Sequence, residues 1–128
     1  MGYCITQREN NFIIKADKKA AALTAMKKLG NERDNFHWVS ASDFVHCETL
    51  EDALSAWRYE PTNDENDDID TVQFIGEKLG DEFEMFKVIA PFVEKDSYIE
   101  MDGEDGTIWR WTFDGTECHE DYPTITWP

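Results

Sequence analysis

The chain has 128 residues, 41% hydrophobic and 13% aromatic, with 12 basic and 28 acidic side chains and a net charge of −16. That apolar content excludes disorder by charge alone, and the length predicts one domain spanning 1–128 with a substantial core. The charge argues against direct nucleic-acid binding and against anionic membranes, because each phosphate contact wants a lysine or arginine. It favours a cationic partner.

Three cysteines, Cys4, Cys47 and Cys118, are too few and odd in number for a disulfide framework. With no secretory leader pattern and no apolar run near 18 residues, the expected setting is a reducing cytoplasm, with no membrane contact. The charge is also uneven. Residues 1–33 carry seven basic side chains against three acidic ones, net +4, which leaves −20 for the remainder.

In chain order, Tyr3–Gln7 and Phe12–Ala16 read as two short strands separated by the polar turn Arg8-Glu9-Asn10-Asn11. Asp17 is placed as the N-cap of a helix running to about Leu29, with Leu23, Met26 and Leu29 on one stripe and Gly30-Asn31 as its stop. Phe36–Ser40 reads as a strand. Thr49 opens a second helix whose Leu50, Ala53, Leu54 and Trp57 have the spacing of one buried face. Glu60–Asp68, EPTNDENDD, holds five acidic residues and no basic one, and reads as an exposed loop. Ile69–Ile75 follows as a strand. A third helix starts near Asp81, turns Phe83, Phe86, Ile89 and Val93 to the core, and ends near Ala90 because Pro91 lacks an N–H.

Tyr98–Trp127 carries three of the five tryptophans and the clearest alternation in the chain. Trp109, Trp111 and Phe113 face one side and Ile108, Arg110 and Thr112 the other, as successive strand residues must. Glu104-Asp105-Gly106 and Asp114-Gly115 supply the turns. The element order predicts an α+β fold: a single mixed or antiparallel sheet, about three helices on its aromatic face, and a C-terminal β-meander. A three-residue first turn sets Met101 against Trp109, Ile99 against Trp111 and Glu100 against Arg110. A two-residue second turn would set Arg110 against His119, so that Glu100, Arg110 and His119 form a row on the outer face, and would bring Glu120 beside Trp109.

The chemistry-bearing patterns are weak. Asp64, Asn66, Asp68 and Asp70 alternate as in a calcium loop, but Ile69 stands where such a loop needs glycine and Ile75 where it needs glutamate. His46-Cys47 and Cys118-His119 have zinc-ligand residue types without the spacing that lets two ligands converge. Neither a nucleophile elbow nor a phosphate-binding glycine loop is present. No metal or other cofactor, and no catalytic residue, is therefore expected.

The run GEDGTIWRWTFDG with a terminal PTITWP resembles the C-terminal end of small acidic proteins encoded by bacterial genomes and by their phages and mobile elements. No activity is attached to that group, so no site residue carries over. The resemblance implies an accessory protein of such an element, where small acidic inhibitors and DNA mimics occur.

Together these readings predict a non-enzymatic protein whose acidic surface occupies the basic surface of a nucleic-acid-binding partner. The carboxylates expected to meet that partner are Asp64, Glu65, Asp67, Asp68 and Asp70 of the acidic loop, with Glu100, Asp102, Glu104 and Asp105 of the meander. A small hydrolase using a cysteine or carboxylate is the alternative from another class, and a scaffold module charged for solubility is a third. A Cys–His contact in a pocket would mark the enzyme.

Overall fold

The computed structural model describes residues 2–124 and Trp127. Its strands are β1 (Ile5–Asn11), β2 (Asn35–Phe36), β3 (Val39–Ser40), β4 (Tyr59–Asn63), β5 (Ile69–Phe74), β6 (Tyr98–Gly103), β7 (Ile108–Phe113) and β8 (Cys118–Asp121). Its helices are α1 (Lys19–Glu32), α2 (Leu50–Ala56) and α3 (Glu82–Ile89). The fold is α+β, as expected. Its strands divide into three antiparallel sheets rather than one: β1-β6-β7-β8, β2-β3 and β4-β5.

The first expected turn is absent. Residues 8–11 continue β1, and the chain absorbs the polar run with a bulge between Gln7 and Glu9 rather than a reversal. Phe12–Ala16 forms no strand of its own; its backbone bridges to β5 at Ile14, opposite Ile69. The side chain of Gln7 bridges to the β4-β5 hairpin: its Nε2 donates to the Val72 carbonyl and its Oε1 accepts the Phe74 N–H, both at 2.8 Å. Asn10 Oδ1 accepts the Val72 N–H at 3.0 Å. Side-chain amides thus stand in for backbone rungs between two sheets.

The first helix opens with a 3-10 turn, Ala16–Lys18, so Asp17 lies inside it and is not the cap. The cap comes from elsewhere: Asp68 Oδ1 accepts the Ala16 N–H at 2.7 Å. The helix also passes through Gly30-Asn31 and ends at Glu32. Gly30 is there for contact. A Cβ on it would stand 2.5 Å from Val45 and 2.9 Å from Phe44. Phe36–Ser40 is a tight hairpin, β2 and β3, turned at Trp38 with φ 70°. Thr49 caps α2 as expected, its hydroxyl accepting the Asp52 N–H at 3.1 Å.

The expected acidic loop is half strand. Glu60–Asn63 belongs to β4, because Tyr59 and its neighbours pair with Phe74, Gln73, Val72 and Thr71. Only 64–68 turns. Helix α3 ends where Pro91 requires, with a 3-10 turn at Ala90–Phe92.

In the meander the first turn sets Met101, Ile99 and Glu100 opposite Trp109, Trp111 and Arg110, as expected. The second turn spans Asp114–Glu117 rather than two residues, because Asp114 Oδ1 accepts the N–H groups of Thr116 at 2.9 Å and Glu117 at 2.7 Å. This shifts β8 by two residues, setting Asp121 opposite Arg110, Thr112 opposite His119 and Trp111 opposite Glu120. The Glu100–Arg110–His119 row is therefore incomplete. Ile125, Thr126 and Pro128 of the terminal segment lie outside the described residues.

The core runs beneath the sheet's inner face. Phe86 of α3 is its hub, with ring centroids 5.2 Å from Trp111, 5.1 Å from Tyr59, 6.0 Å from Phe113 and 6.2 Å from Phe12. A second lobe gathers Phe36 and Phe44 on Trp57.

Candidate functional site

Four of the seven basic side chains in the first thirty-three residues are used inside the molecule. Arg8 reaches Glu100 at 2.9 Å and Asp102 at 3.6 Å; Lys15 reaches Asp68 at 3.5 Å; Arg33 reaches Asp81 at 3.0 Å. Lys19, its side chain only 13% exposed, pairs with Glu51 at 2.5 Å and Asp67 at 3.2 Å. Each exposed pair is worth little alone. Together they fasten α1 and β1 onto the acidic remainder.

Most of the loop carboxylates expected to meet a partner already hold the fold. Asp64 Oδ1 accepts the N–H of Asn66 at 2.8 Å and of Asp68 at 3.1 Å. Asp67 sits in the left-handed region at φ 63° and takes the Asn63 amide at 2.9 Å, which with Lys19 keeps its carboxyl below the usual range. Asp68 caps Ala16, and one oxygen of Asp70 is enclosed without a donor among the described residues. Glu65 alone stands exposed with no side-chain bond among the described residues. In the alternation that resembled a calcium loop, Asp64 and Asp68 are taken by backbone amides and Lys15.

On the outer face Glu100 lies between Arg110 at 2.8 Å and Arg8 at 2.9 Å, and its side chain is 15% exposed. Those two guanidiniums, Arg110 foremost, hold its carboxyl below the usual range. Arg110 also approaches Glu9 at 3.6 Å and covers the Tyr98 ring at 4.2 Å. His119 turns instead to Asp114 at 2.9 Å. Glu104 accepts the Cys4 N–H at 2.9 Å, and Asp105 accepts the Tyr3 hydroxyl and the Thr107 N–H.

Sequence reasoning passed over a buried ionic group. Glu82 at the start of α3 is fully buried and accepts the Tyr59 hydroxyl at 2.8 Å and the Gly80 N–H at 2.6 Å, with Arg58 at 3.5 Å. Arg58 takes φ 76° and donates to the Lys78 carbonyl at 2.7 Å. The available signal was the pair Gly76 and Gly80. A Cβ on either would lie within 3.0 Å of the Arg58 guanidinium.

Beside Gly80 opens a cavity of about 240 Å³. Trp109 and Trp111 of β7 form its floor, Tyr3 and Phe83 its sides, and Glu120 and Tyr122 its rim. The chain brings these together through the shifted β8 register and through a backbone bond from the Leu79 N–H to the Tyr3 carbonyl at 2.7 Å. The indole rings stand 5.7 Å apart at 80°. Both indole N–H groups are enclosed and have no acceptor among the described residues, so the cavity meets carbon surface rather than donors. The rim is exposed: Tyr122 at 58%, Leu79 at 36% and, nearby, Trp38 at 51% with its Nε1 on the Leu79 carbonyl.

No family model, curated protein or solved structure matches the chain. Its function rests on geometry.

Among the described residues no group of three histidine, cysteine or carboxylate side chains is placed to hold a metal ion, and no helix is long and apolar enough to cross a membrane. Each thiol has a partner other than imidazole: Cys4 the Lys78 ammonium at 3.0 Å, Cys47 the Asp43 carbonyl at 3.7 Å, Cys118 the His119 carbonyl at 4.0 Å. Cys118 is buried, which pushes its thiol up to about 12. Cys118 faces inward, while His119 is exposed and bonded to Asp114. Among the described residues the surface presents excess carboxylate and, over Trp109 and Trp111, an aromatic cavity.

Proposed function

We propose that this chain is a non-enzymatic acidic interaction protein that occupies the basic surface of a nucleic-acid-binding partner, as an inhibitor of the DNA-mimic kind. The observation that carries this reading is the charge left after internal pairing. Among the described residues eight of the twelve basic side chains lie within 4.0 Å of a carboxylate, and Lys18, Lys27, Lys28 and Lys95 do not. Eighteen of the 28 carboxylates have no lysine or arginine within that distance among the described residues. So large a surplus costs stability through self-repulsion, and a cationic partner would remove that cost.

On the β7-β8 side Asp96, Asp114, Glu117, Glu120 and Asp121 lie without arginine or lysine partners among the described residues, with Lys95 the unpaired cation beside them. That side, with Glu65, is a better candidate partner face than the loop as a whole. The resemblance of GEDGTIWRWTFDG to proteins of mobile elements agrees with an inhibitor.

The test is capture from a bacterial lysate on the immobilised protein, with elution by salt or by added duplex DNA. The expected catch is nucleic-acid-binding proteins that release between about 50 and 200 mM salt and are displaced by DNA. Proteins retained at high salt and indifferent to DNA would overturn the reading.

A further inference from the structure

The cavity over Trp109 and Trp111 has the chemistry of a receptor for one organic cation. Its walls are four aromatic side chains, Tyr3, Phe83, Trp109 and Trp111, with a fifth, Tyr122, at the rim. Ring faces attract an ammonium or guanidinium within about 6 Å of the centroid. The polar groups at the cavity are oriented for positive charge. Tyr122 donates its hydroxyl to Glu120 at 2.6 Å and Tyr3 donates to Asp105, so each phenol turns its proton to a carboxylate and leaves its oxygen as an acceptor. Glu120 has no lysine or arginine partner among the described residues, and only one of its oxygens takes the Tyr122 bond.

Two features oppose a cation, and both are already answered. The Arg58 guanidinium lies behind Gly80, but Glu82 neutralises it and the Lys78 carbonyl takes one of its donors. The start of α3 also lies beside the cavity, with Gly80 and Phe83 in its lining, yet Glu82 accepts the Gly80 N–H at 2.6 Å. No lysine or arginine lines the cavity itself. The chain uses the same device for its own cations: Arg33, Arg58, Lys87 and Arg110 each lie over an aromatic ring, at 4.5, 5.2, 5.1 and 4.2 Å. The cavity over Trp109 and Trp111 offers that environment with the cation missing from its lining.

We infer that this cavity receives the side chain of a lysine or arginine projecting from the basic partner, its methylenes on the indoles and its charge at Glu120. This rests on the reading of a basic partner and adds to it a fixed anchor point, where long-range charge alone gives attraction without register.

The test uses free probes and the whole chain. Nα-acetyl-lysine N-methylamide, its arginine counterpart and the neutral norleucine analogue are titrated while the indole resonances of Trp109 and Trp111 are followed by NMR, at constant ionic strength. Saturable shifts with the two cationic probes and none with norleucine are expected. Glu120→Gln should weaken binding about fivefold, the size of one partly screened charge contact. Tyr122→Ala, which removes an exposed rim residue, should weaken it similarly without moving the melting temperature. Norleucine binding as well as lysine, or shifts unaffected by both substitutions, would overturn the inference. Salt-sensitive capture of basic proteins by a Glu120→Gln, Tyr122→Ala double variant at wild-type strength would also overturn it, while sparing the charge-driven reading. Cation binding here without any such capture would spare the cavity and sink that reading.

Discussion

Gln7 takes the place of a strand for Phe74: its side-chain oxygen accepts the Phe74 N–H at 2.8 Å. The same amide donates to Val72, so one side chain satisfies two backbone groups between sheets. Replacing Gln7 by leucine would leave both groups without partners, at about 1–3 kcal/mol each. Gln7→Leu is expected to lower the urea midpoint more than the exposed Gln73→Leu does, with an unchanged denaturant slope. Equal effects would mean that water replaces the bridge.

That bridge also shows where the sequence stopped being legible. Alternation at Trp109, Trp111 and Phe113 was enough to assign faces, because period two has only one inward set. The polar run Arg8–Asn11 looked like a turn, since Asn10 and Gln7 make their bonds to a strand more than sixty residues away. Asp68 caps a helix start fifty-two residues upstream, so no local capping pattern could show it. The β8 register failed on a single choice: Asp114 folds over Thr116 and Glu117, and a four-residue turn wins over the Asp-Gly pair. The carboxylates were visible from the start. Which of them were already occupied depended on lysines and backbone amides from other elements, as Lys19 with Asp67 illustrates.

The buried Tyr59–Glu82 contact gives an alkaline signature. Burial first, and then the Glu82 charge, raise the Tyr59 phenol well above its ordinary 10.0. A raised phenol contributes stability that is fully present below 10.0 and is lost as pH climbs beyond it. Wild type should therefore lose stability more steeply above pH 10.0 than Tyr59→Phe, although the variant is about 1–3 kcal/mol weaker at neutral pH from the unmade bond. Glu82→Ala should cost more, about 3–5 kcal/mol, because it leaves Arg58 without its buried counter-charge. Parallel denaturation slopes above that pH would disprove the assignment.

Asp114 and His119 define a second window. Backbone amides of the turn, chiefly that of Glu117, hold the Asp114 carboxyl down to about 2, and Asp114 in turn raises His119 above 6.5. The lowered acid contributes stability above 3.8 that fades as pH falls toward about 2. The raised imidazole contributes below 6.5 and loses its share as pH rises past its folded value. His119→Gln should thus lose stability relative to wild type between about pH 4 and 6 and match it above about pH 8. Equal stability throughout would mean the 2.9 Å contact is made only by the neutral ring.

The last prediction separates carboxylates that hold the fold from those that only repel. With a net charge of −16, repulsion among surface acids lowers stability, and salt should raise the melting temperature by screening it. Glu60, Glu65 and Glu117 are exposed and have no lysine or arginine partner among the described residues. Changing all three to glutamine should stabilise the free protein by up to ~1 kcal/mol in low salt. That gain should vanish near 0.5 M salt, where the screening length falls to only a few ångströms (~4 Å). Asp68→Ala removes the Ala16 cap and the Lys15 contact, so it should destabilise by about 1 kcal/mol in either salt. Melting curves of the two variants at about 0.02 M and 0.5 M salt decide the matter. A triple variant that gains nothing, or an Asp68→Ala variant that melts higher than wild type in low salt, would show that the paired and unpaired acids are energetically alike.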